Sequence, residues 1–332
     1  MMRKTLRWLL YVLAAILALV IIVLSGFRIA AVARESQTRT DAAPPAGHFV
    51  HAADVDMYIQ EWGPADGPAV VFLHAAGGWS EVWKQTGEDL AAEGFHAIAL
   101  DMPPLGYSER PDTPRYSRED QAKRVIGVLD ALHIKKATLV GHSFGGRAVA
   151  QTALMMPERV RAVVLVDAAL SFNSAAQKRG VAGSFLDMVM YAAPVRNALV
   201  SATFTNPLFT RTLIKLFVAD PKSASDYWVH IYQEPIDVQS TTPAIGDWVI
   251  QLLAERDSSL SSDPEAYKKL TMPALVIWGD KDTTTPLSLG EYIASIIPNS
   301  KIVVMEGLGH LPPLEDTQAF DDTLLKFLKA NR

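Results

Sequence analysis

The alternation of apolar and polar positions divides the chain into three textures. From Trp8 to Phe27 no charged residue occurs, and most of the side chains are Leu, Ile, Val or Ala. These 20 residues, at about 1.5 Å each, reach ~30 Å, the thickness of a bilayer's hydrocarbon core. The run is apolar on every face, which argues against a half-buried surface helix and predicts a transmembrane anchor. Ala31-Val32-Ala33 resembles a signal-peptidase site and supplies a competing expectation, a secreted enzyme cleaved from its signal. The length of the run and the placement of Arg28 before that site weigh toward the anchor. Arg3, Lys4 and Arg7 precede the run, so the positive-inside rule orients the N-terminus to the cytoplasm and the bulk of the chain outside it. Residues 35–47 (ESQTRTDAAPPAG) are polar and read as a tether.

The second texture alternates strand and helix. Val55–Trp62 predicts an early antiparallel strand. Continuous apolar runs at 69–73, 96–100, 137–140, 162–166, 274–278 and 301–305 predict strands buried on both faces. Between them lie helical periods, one opened by the capping box Ser117-x-x-Asp120, and a last one carrying Phe320, Leu324, Phe327 and Leu328. This is the pattern of an α/β fold with a mostly parallel sheet, whose ligands bind beyond the carboxyl ends of the strands. The third texture, residues 170–263, is helical and rich in aromatic and Met residues, among them Phe185, Met188, Phe204, Phe217, Trp228 and Trp248. An insertion of that length predicts a helical lid. The expected organisation is therefore an anchor at 8–27, a linker at 28–47, a core in two parts at 48–169 and 264–332, and a lid at 170–263.

Net charge is −5 and no Lys/Arg block stands out, so nucleic acid is not an expected partner. The absence of cysteine excludes a thiol nucleophile, disulfides and cysteine-based zinc sites. His48 and His51 lack a partner cluster, and neither a metal nor a cofactor is expected.

The candidate chemistry centres on Gly141-His142-Ser143-Phe144-Gly145-Gly146, set between a predicted strand and a helix that Pro157 stops. G-x-S-x-G in that setting has the form of a nucleophile elbow, a turn so tight that the flanking positions must be small. The competing reading is a serine that merely caps the helix. A serine nucleophile needs a base, and the base needs an orienting acid. His310 follows the run 301–305 and Asp282 follows the run 274–278, so all three fall at strand ends in the order Ser…Asp…His. Asp280 and Asp167 are the rival acids.

With these motifs the chain resembles the α/β-hydrolase family, in the lidded branch of esterases, lactonases, cofactor-free haloperoxidases and carbon–carbon bond hydrolases. The likeness covers 49–332 and rests on His74-Ala75-Ala76-Gly77-Gly78, Asp101 to Ser108, Gly141 to Gly146, Trp278 to Asp282 and Gly309-His310-x-x-x-x-Glu315. It implies an eight-stranded, mostly parallel sheet flanked by helices. It also implies Ser143 as nucleophile, His310 as base, Asp282 as its partner, and an oxyanion hole from the backbone N–H groups of Ala76 and Phe144. His74 is expected to shape its loop, and His142 and Trp248 to line the pocket. Ala75, where the family commonly has Gly, and Pro104, where Gly is usual, depart from the pattern without removing a reactive group. Serine at the elbow argues against dehalogenases and epoxide hydrolases. The expected substrate is a small apolar ester; carbon–carbon cleavage or perhydrolysis is the alternative, with Leu311 standing where dienoic-diketone hydrolases often carry Trp. An intact Ser/Asp/His set argues against a non-catalytic binding protein.

Overall fold

The computed structural model describes residues 2–172, 190–254 and 259–332. The N-terminal apolar run forms one helix, α1 (Met2–Arg34), followed by a single turn, α2 (Arg39–Ala42), and the hairpin β1 (Gly47–Ala52) and β2 (Val55–Trp62). The core continues as β3 (Ala69–Leu73), α3 (Lys84–Ala92), β4 (His96–Leu100), α4 (Arg118–Ala131), β5 (Ala137–His142), α5 (Phe144–Met155) and β6 (Val160–Val166). Helices α6 (Ala193–Ala202), α7 (Pro207–Phe217), α8 (Asp226–Gln233) and α9 (Thr241–Ala254) follow, then the turn α10 (Pro264–Tyr267). The chain closes with β7 (Ala274–Gly279), α11 (Leu287–Ile296), β8 (Ser300–Met305), α12 (Pro312–Glu315) and α13 (Thr317–Ala330).

The eight strands form one sheet in the order β1-β2-β4-β3-β5-β6-β7-β8. β2 runs antiparallel to both its neighbours, and β3 to β8 pair in parallel. This is the expected α/β architecture. Every residue of β3, β4, β5 and β7 is buried, as their unbroken apolar runs require, because helices cover both faces. One face packs Val71, Leu139, Val163 and Val276 against α4 and α5; the other packs Phe72, Val140 and Ile277 against Trp83, Phe320 and Leu324. Ser117 caps α4 as the sequence predicts, accepting from the Asp120 N–H.

Two differences from the sequence reading have physical causes. β1 is a half-exposed edge strand whose period is too weak to stand out alone; pairing with β2, from Gly47↔Gln60 to Ala52↔Val55, is what makes it a strand. Its turn is pinned by Asp54, which holds the buried Arg124 guanidinium through two bonds of 2.8 and 2.9 Å. The stretch 28–47 is not a loose linker. α1 runs on through Arg34, and Glu35 accepts from the Thr242 N–H at 3.1 Å and from the Thr242 hydroxyl. Gln37 bridges to Val238, Arg39 pairs with Asp56 at 3.1 Å, and the Tyr58 hydroxyl donates to Pro44 O at 2.7 Å. A polar segment reads as a tether only when its partners, here distant in sequence, are unknown.

Between 190 and 254 the described residues are helical, as expected. The insertion is bonded to the loops beyond the strands. Trp79 Nε1 donates to Ile231 O at 2.8 Å, Arg110 to Thr241 Oγ1 at 2.7 Å, and the Tyr116 N–H to Gln251 Oε1 at 2.8 Å. Phe185 and Met188 lie outside the described residues. The depression lined by Pro68, His96, Lys135 and Arg161 lies at the opposite, amino ends of the strands.

Candidate active site

Ser143 stands between β5 and α5 with φ 49° and ψ −110°, a conformation that costs energy for any residue with a side chain. The turn persists because its surroundings over-determine it. The Ser143 N–H donates to Val166 O at 2.9 Å, and Ser143 O accepts from Gly146 N and Ala169 N at 3.1 and 3.0 Å. A methyl on Gly141 would lie 2.7 Å from Gly145 O and from Val149 Cγ2, and one on Gly145 would strike Leu73 O. Both positions are therefore glycine for want of space. The Ser143 side chain makes no capping bond to α5, which sets aside the helix-cap reading.

Its hydroxyl instead lies 2.8 Å from His310 Nε2, and His310 Nδ1 lies 2.7 Å from Asp282 Oδ2. The loops after β5, β7 and β8 thus bring the three sequence candidates into one hydrogen-bonded line, all buried. With a carboxylate at Nδ1, that nitrogen carries the proton and Nε2 is left to accept from the serine O–H. Burial alone would raise the Asp282 pKa. The His310 bond and charge, with the Thr285 hydroxyl and N–H, outweigh it and hold the group at about 2. Asp282 Oδ1 also accepts from Thr284 N at 2.7 Å and Thr285 N at 3.0 Å, and Oδ2 from the Thr285 hydroxyl at 2.6 Å.

The rival acids take other places. Asp280 is committed to a surface turn, accepting from Gly307 N at 2.6 Å and pairing with Lys281. Asp167 is wholly buried behind the line; its Oδ1 accepts from Gly279 N at 3.0 Å, and its Oδ2 has no hydrogen-bond partner among the described residues. Burial, with the Asp282 charge beside it, raises its pKa well above its ordinary value. Asp167, Asp282 and His310 bring ligand atoms within 4.8 Å of one another, but a cation there would have to break the His310–Asp282 bond.

His74 has a structural place. Its Nε2 accepts from Met102 N at 2.9 Å, so its Nδ1 carries the proton and donates to Ala75 O at 2.8 Å; burial depresses its pKa to about 4, and it stays neutral. His142 backs His310 rather than facing Ser143. Its Nε2–H donates to His310 O at 2.7 Å and its ring packs beside Trp83; burial, then the neighbouring His310, depress it to about 3. Phe144 opens α5, so its N–H belongs to the first turn, where helices leave donors without internal partners. Ala76 lies exposed in the turn after β3, and the adjoining Gly77 faces Phe204 and Tyr232 of the insertion. Trp248 packs edge-on against Phe144, with ring centroids 5.0 Å apart, and its buried indole N–H has no acceptor among the described residues.

The sequence reading missed two supports. Glu315 Oε1 accepts from Gly309 N at 2.9 Å and Leu311 N at 3.2 Å, gripping the chain on both sides of His310, while Oε2 accepts from Ala219 N at 2.7 Å. Its place in Gly309-His310-x-x-x-x-Glu315 was visible, but its role was not. Thr284 and Thr285 could have been found as an Asp-initiated turn, since Asp side chains bond backbone N–H groups two and three residues on.

Comparison with known proteins identifies the family. The family model described as alpha/beta hydrolase fold matches residues 68–317. A 2-hydroxymuconate semialdehyde hydrolase from Pseudomonas sp. (strain CF600) is 30% identical over 300 residues, covering 86% of this chain and 95% of the relative. Among solved structures, the meta-cleavage product hydrolase CumD from Pseudomonas fluorescens IP01 superposes with a TM-score of 0.68 at 25% identity, covering 86% of this chain and 99% of that one. The esterase EaEST from Exiguobacterium antarcticum does so with 0.68 at 22% identity over 85% and 99% of the two chains, a likeness of fold.

Proposed function

The chain belongs to the α/β-hydrolase family and is a hydrolase; from that premise we propose that it is a membrane-anchored serine hydrolase cleaving small, mostly apolar esters. The observation that carries this reading is the line from Ser143 Oγ to His310 Nε2 at 2.8 Å and from His310 Nδ1 to Asp282 Oδ2 at 2.7 Å. Ser143 Oγ attacks the ester carbonyl carbon as its proton passes to His310 Nε2. Asp282, ionised, stabilises the imidazolium that forms. The N–H groups of Phe144 and Ala76 receive the oxyanion. Collapse breaks the bond to the leaving alkoxide, which takes the proton from Nε2, and a water activated by the same nitrogen releases the acid and restores the serine. Trp248, packed on Phe144, and Phe204, packed on Trp248, form an apolar wall suited to an apolar acyl group. The 30-residue apolar helix ending at Arg34 is long enough to hold the enzyme to a membrane.

Carbon–carbon bond hydrolysis is the second reading, favoured by the 30% identity to a 2-hydroxymuconate semialdehyde hydrolase. Steady-state kcat/KM on p-nitrophenyl esters against 2-hydroxymuconate semialdehyde separates the two. Ser143→Ala is expected to lower kcat on the better substrate by about 10⁶-fold and to abolish labelling by a fluorophosphonate probe. Undiminished turnover by the variant would sink the assignment.

A further inference from the structure

Helix α7 carries an outward apolar stripe. Leu208, Phe209, Thr212 and Leu216 are spaced to share one helical face. Leu208 is 84% exposed, Leu216 63% and Phe209 40%, whereas Thr210 and Ile214 on the other side are buried. Single exposed leucines need no explanation; a stripe along one helix does. Lys215 borders it, as does Arg211, whose guanidinium pairs with Asp226.

The helix is also fixed at both ends to informative places. Just before its first turn, Thr205 O accepts from Arg34 Nη2 at 2.6 Å, and Arg34 pairs with Asp237 at 3.2 Å. Arg34 closes α1, which packs along α6; near this end of α1, Ala31 is buried and Phe27 and Arg34 are half-buried. At its last turn, Phe217 O accepts from His310 N at 2.7 Å, and the Phe217 ring lies 5.7 Å from the imidazole. Gly309 permits this approach, because a methyl there would lie 2.7 Å from both Phe217 O and Ala219 N. Eleven residues at about 1.5 Å per residue make α7 a bridge of ~16 Å from the end of the anchor helix to the base.

The same rise puts Arg34 ~10 Å past Phe27, the end of the uncharged run, at the depth of lipid headgroups. Ile29 and Val32, both exposed, carry apolar surface of α1 toward that level. We propose that the Leu208–Phe209–Leu216 face of α7 lies in the headgroup–acyl boundary of the bilayer that α1 spans, and that this contact delivers membrane-dissolved acyl esters to Ser143 past Phe217. The proposal rests on the anchored-hydrolase reading and adds the substrate's physical source. An apolar face bordered by cations is the pattern of helices that lie in an anionic membrane surface, and the Arg34–Thr205 bond that ties the start of α7 to the end of α1 favours a bilayer over a second copy of the chain.

The absence of cysteine makes the test clean. Leu208→Cys, Leu216→Cys and, at the far end of the sheet, Asp66→Cys each create a sole thiol for a fluorophore. The full chain is reconstituted in vesicles of zwitterionic and anionic lipid, with and without acyl-brominated lipid. Fluorescence at 208 and 216 is expected to be quenched several-fold more than at 66. Equal quenching at the three positions, in protein retained by the membrane through an alkaline wash, overturns this proposal alone. Loss from the membrane in that wash overturns the anchor reading and this one with it. Concentration-dependent self-quenching in detergent without a response to brominated lipid assigns the stripe to a second copy and overturns it too. The double variant Leu208→Asp/Leu216→Asp is expected to lose roughly tenfold or more activity on a long-chain ester dissolved in vesicles, while a water-soluble short-chain ester is turned over as before. An equal fall on both substrates counts against the proposal.

Discussion

Asp282 shows how much a reactive side chain owes to its neighbours. Its two oxygens accept four bonds, from Thr284 N, Thr285 N, the Thr285 hydroxyl and His310, and its pKa of about 2 keeps it ionised wherever the protein is folded and tested. Asp282→Asn keeps the shape but removes the charge that fixes the imidazole tautomer. It is expected to lower kcat by roughly 10⁴-fold, with the activity below neutral pH no better preserved than above. Glu315 acts one step further out, holding the backbone on both sides of His310. Glu315→Ala should lower kcat with little change in KM, because it loosens the base without touching substrate, whereas Glu315→Gln, which keeps an acceptor oxygen, should recover much of the loss. A matched fall in both variants would point to a merely local packing defect. Ser143, His310 and Asp282 were legible as candidates because each directly follows a predicted strand. Glu315 was legible only as part of a motif, since nothing in its spacing says which N–H groups it will meet.

Among the elements, the elbow between β5 and α5 is the least tolerant of change. A methyl on Gly145 meets the backbone carbonyl of Leu73 in the neighbouring strand β3, and that carbonyl is held by the sheet. Gly145→Ala is therefore expected to destabilise by about 1–3 kcal/mol through overpacking, read as a lower Tm, with activity falling alongside. The β1–β2 hairpin depends on a different device. Removing the carboxylate with Asp54→Ala leaves the Arg124 guanidinium buried and uncompensated, a change expected to cost ~2–4 kcal/mol in urea unfolding, the lower end applying because Asp54 is partly solvated. Strands β3 to β7 were readable because a run buried on both faces is continuous and apolar. β1 was not, because an edge strand takes its identity from its partner.

Over the whole molecule, pH acts on stability from two directions. Asp321 on α13 is buried against Thr86 of α3, donor to its Oδ1 at 2.7 Å, and burial raises its pKa to about 7. Its folded value thus lies above the unfolded one, near 3.8. The folded state holds a proton that the unfolded state has lost, so this group's contribution is full below pH ~4 and is lost as pH rises through about 7, with a slope of up to about 1.4 kcal/mol per pH unit. Asp321→Asn should flatten that slope in denaturant titrations between pH 5 and 8, to be read at about half-unit steps. Asp282 has the opposite sign: its depressed value contributes above its unfolded pKa and is lost as pH falls through about 2. A wild-type stability curve that rises steadily from pH 5 to 8 would contradict the Asp321 assignment.

Much of this protein was settled locally. Apolar runs of the right length and period specify buried strands, amphipathic helices and an N-terminal helix able to cross a bilayer, because each depends only on what lies within one element. The small residues around Ser143 likewise follow from the geometry of a single turn. What only tertiary structure decided were the partnerships across elements. It sewed residues 35–37 onto the insertion and 39–44 onto β2 where the sequence suggested a tether, turned His142 toward the backbone of His310, and ran α7 from the end of α1 to His310. Hydrogen bonds between residues some two hundred positions apart leave no periodicity to read; they exist only once the sheet has brought their loops to one edge.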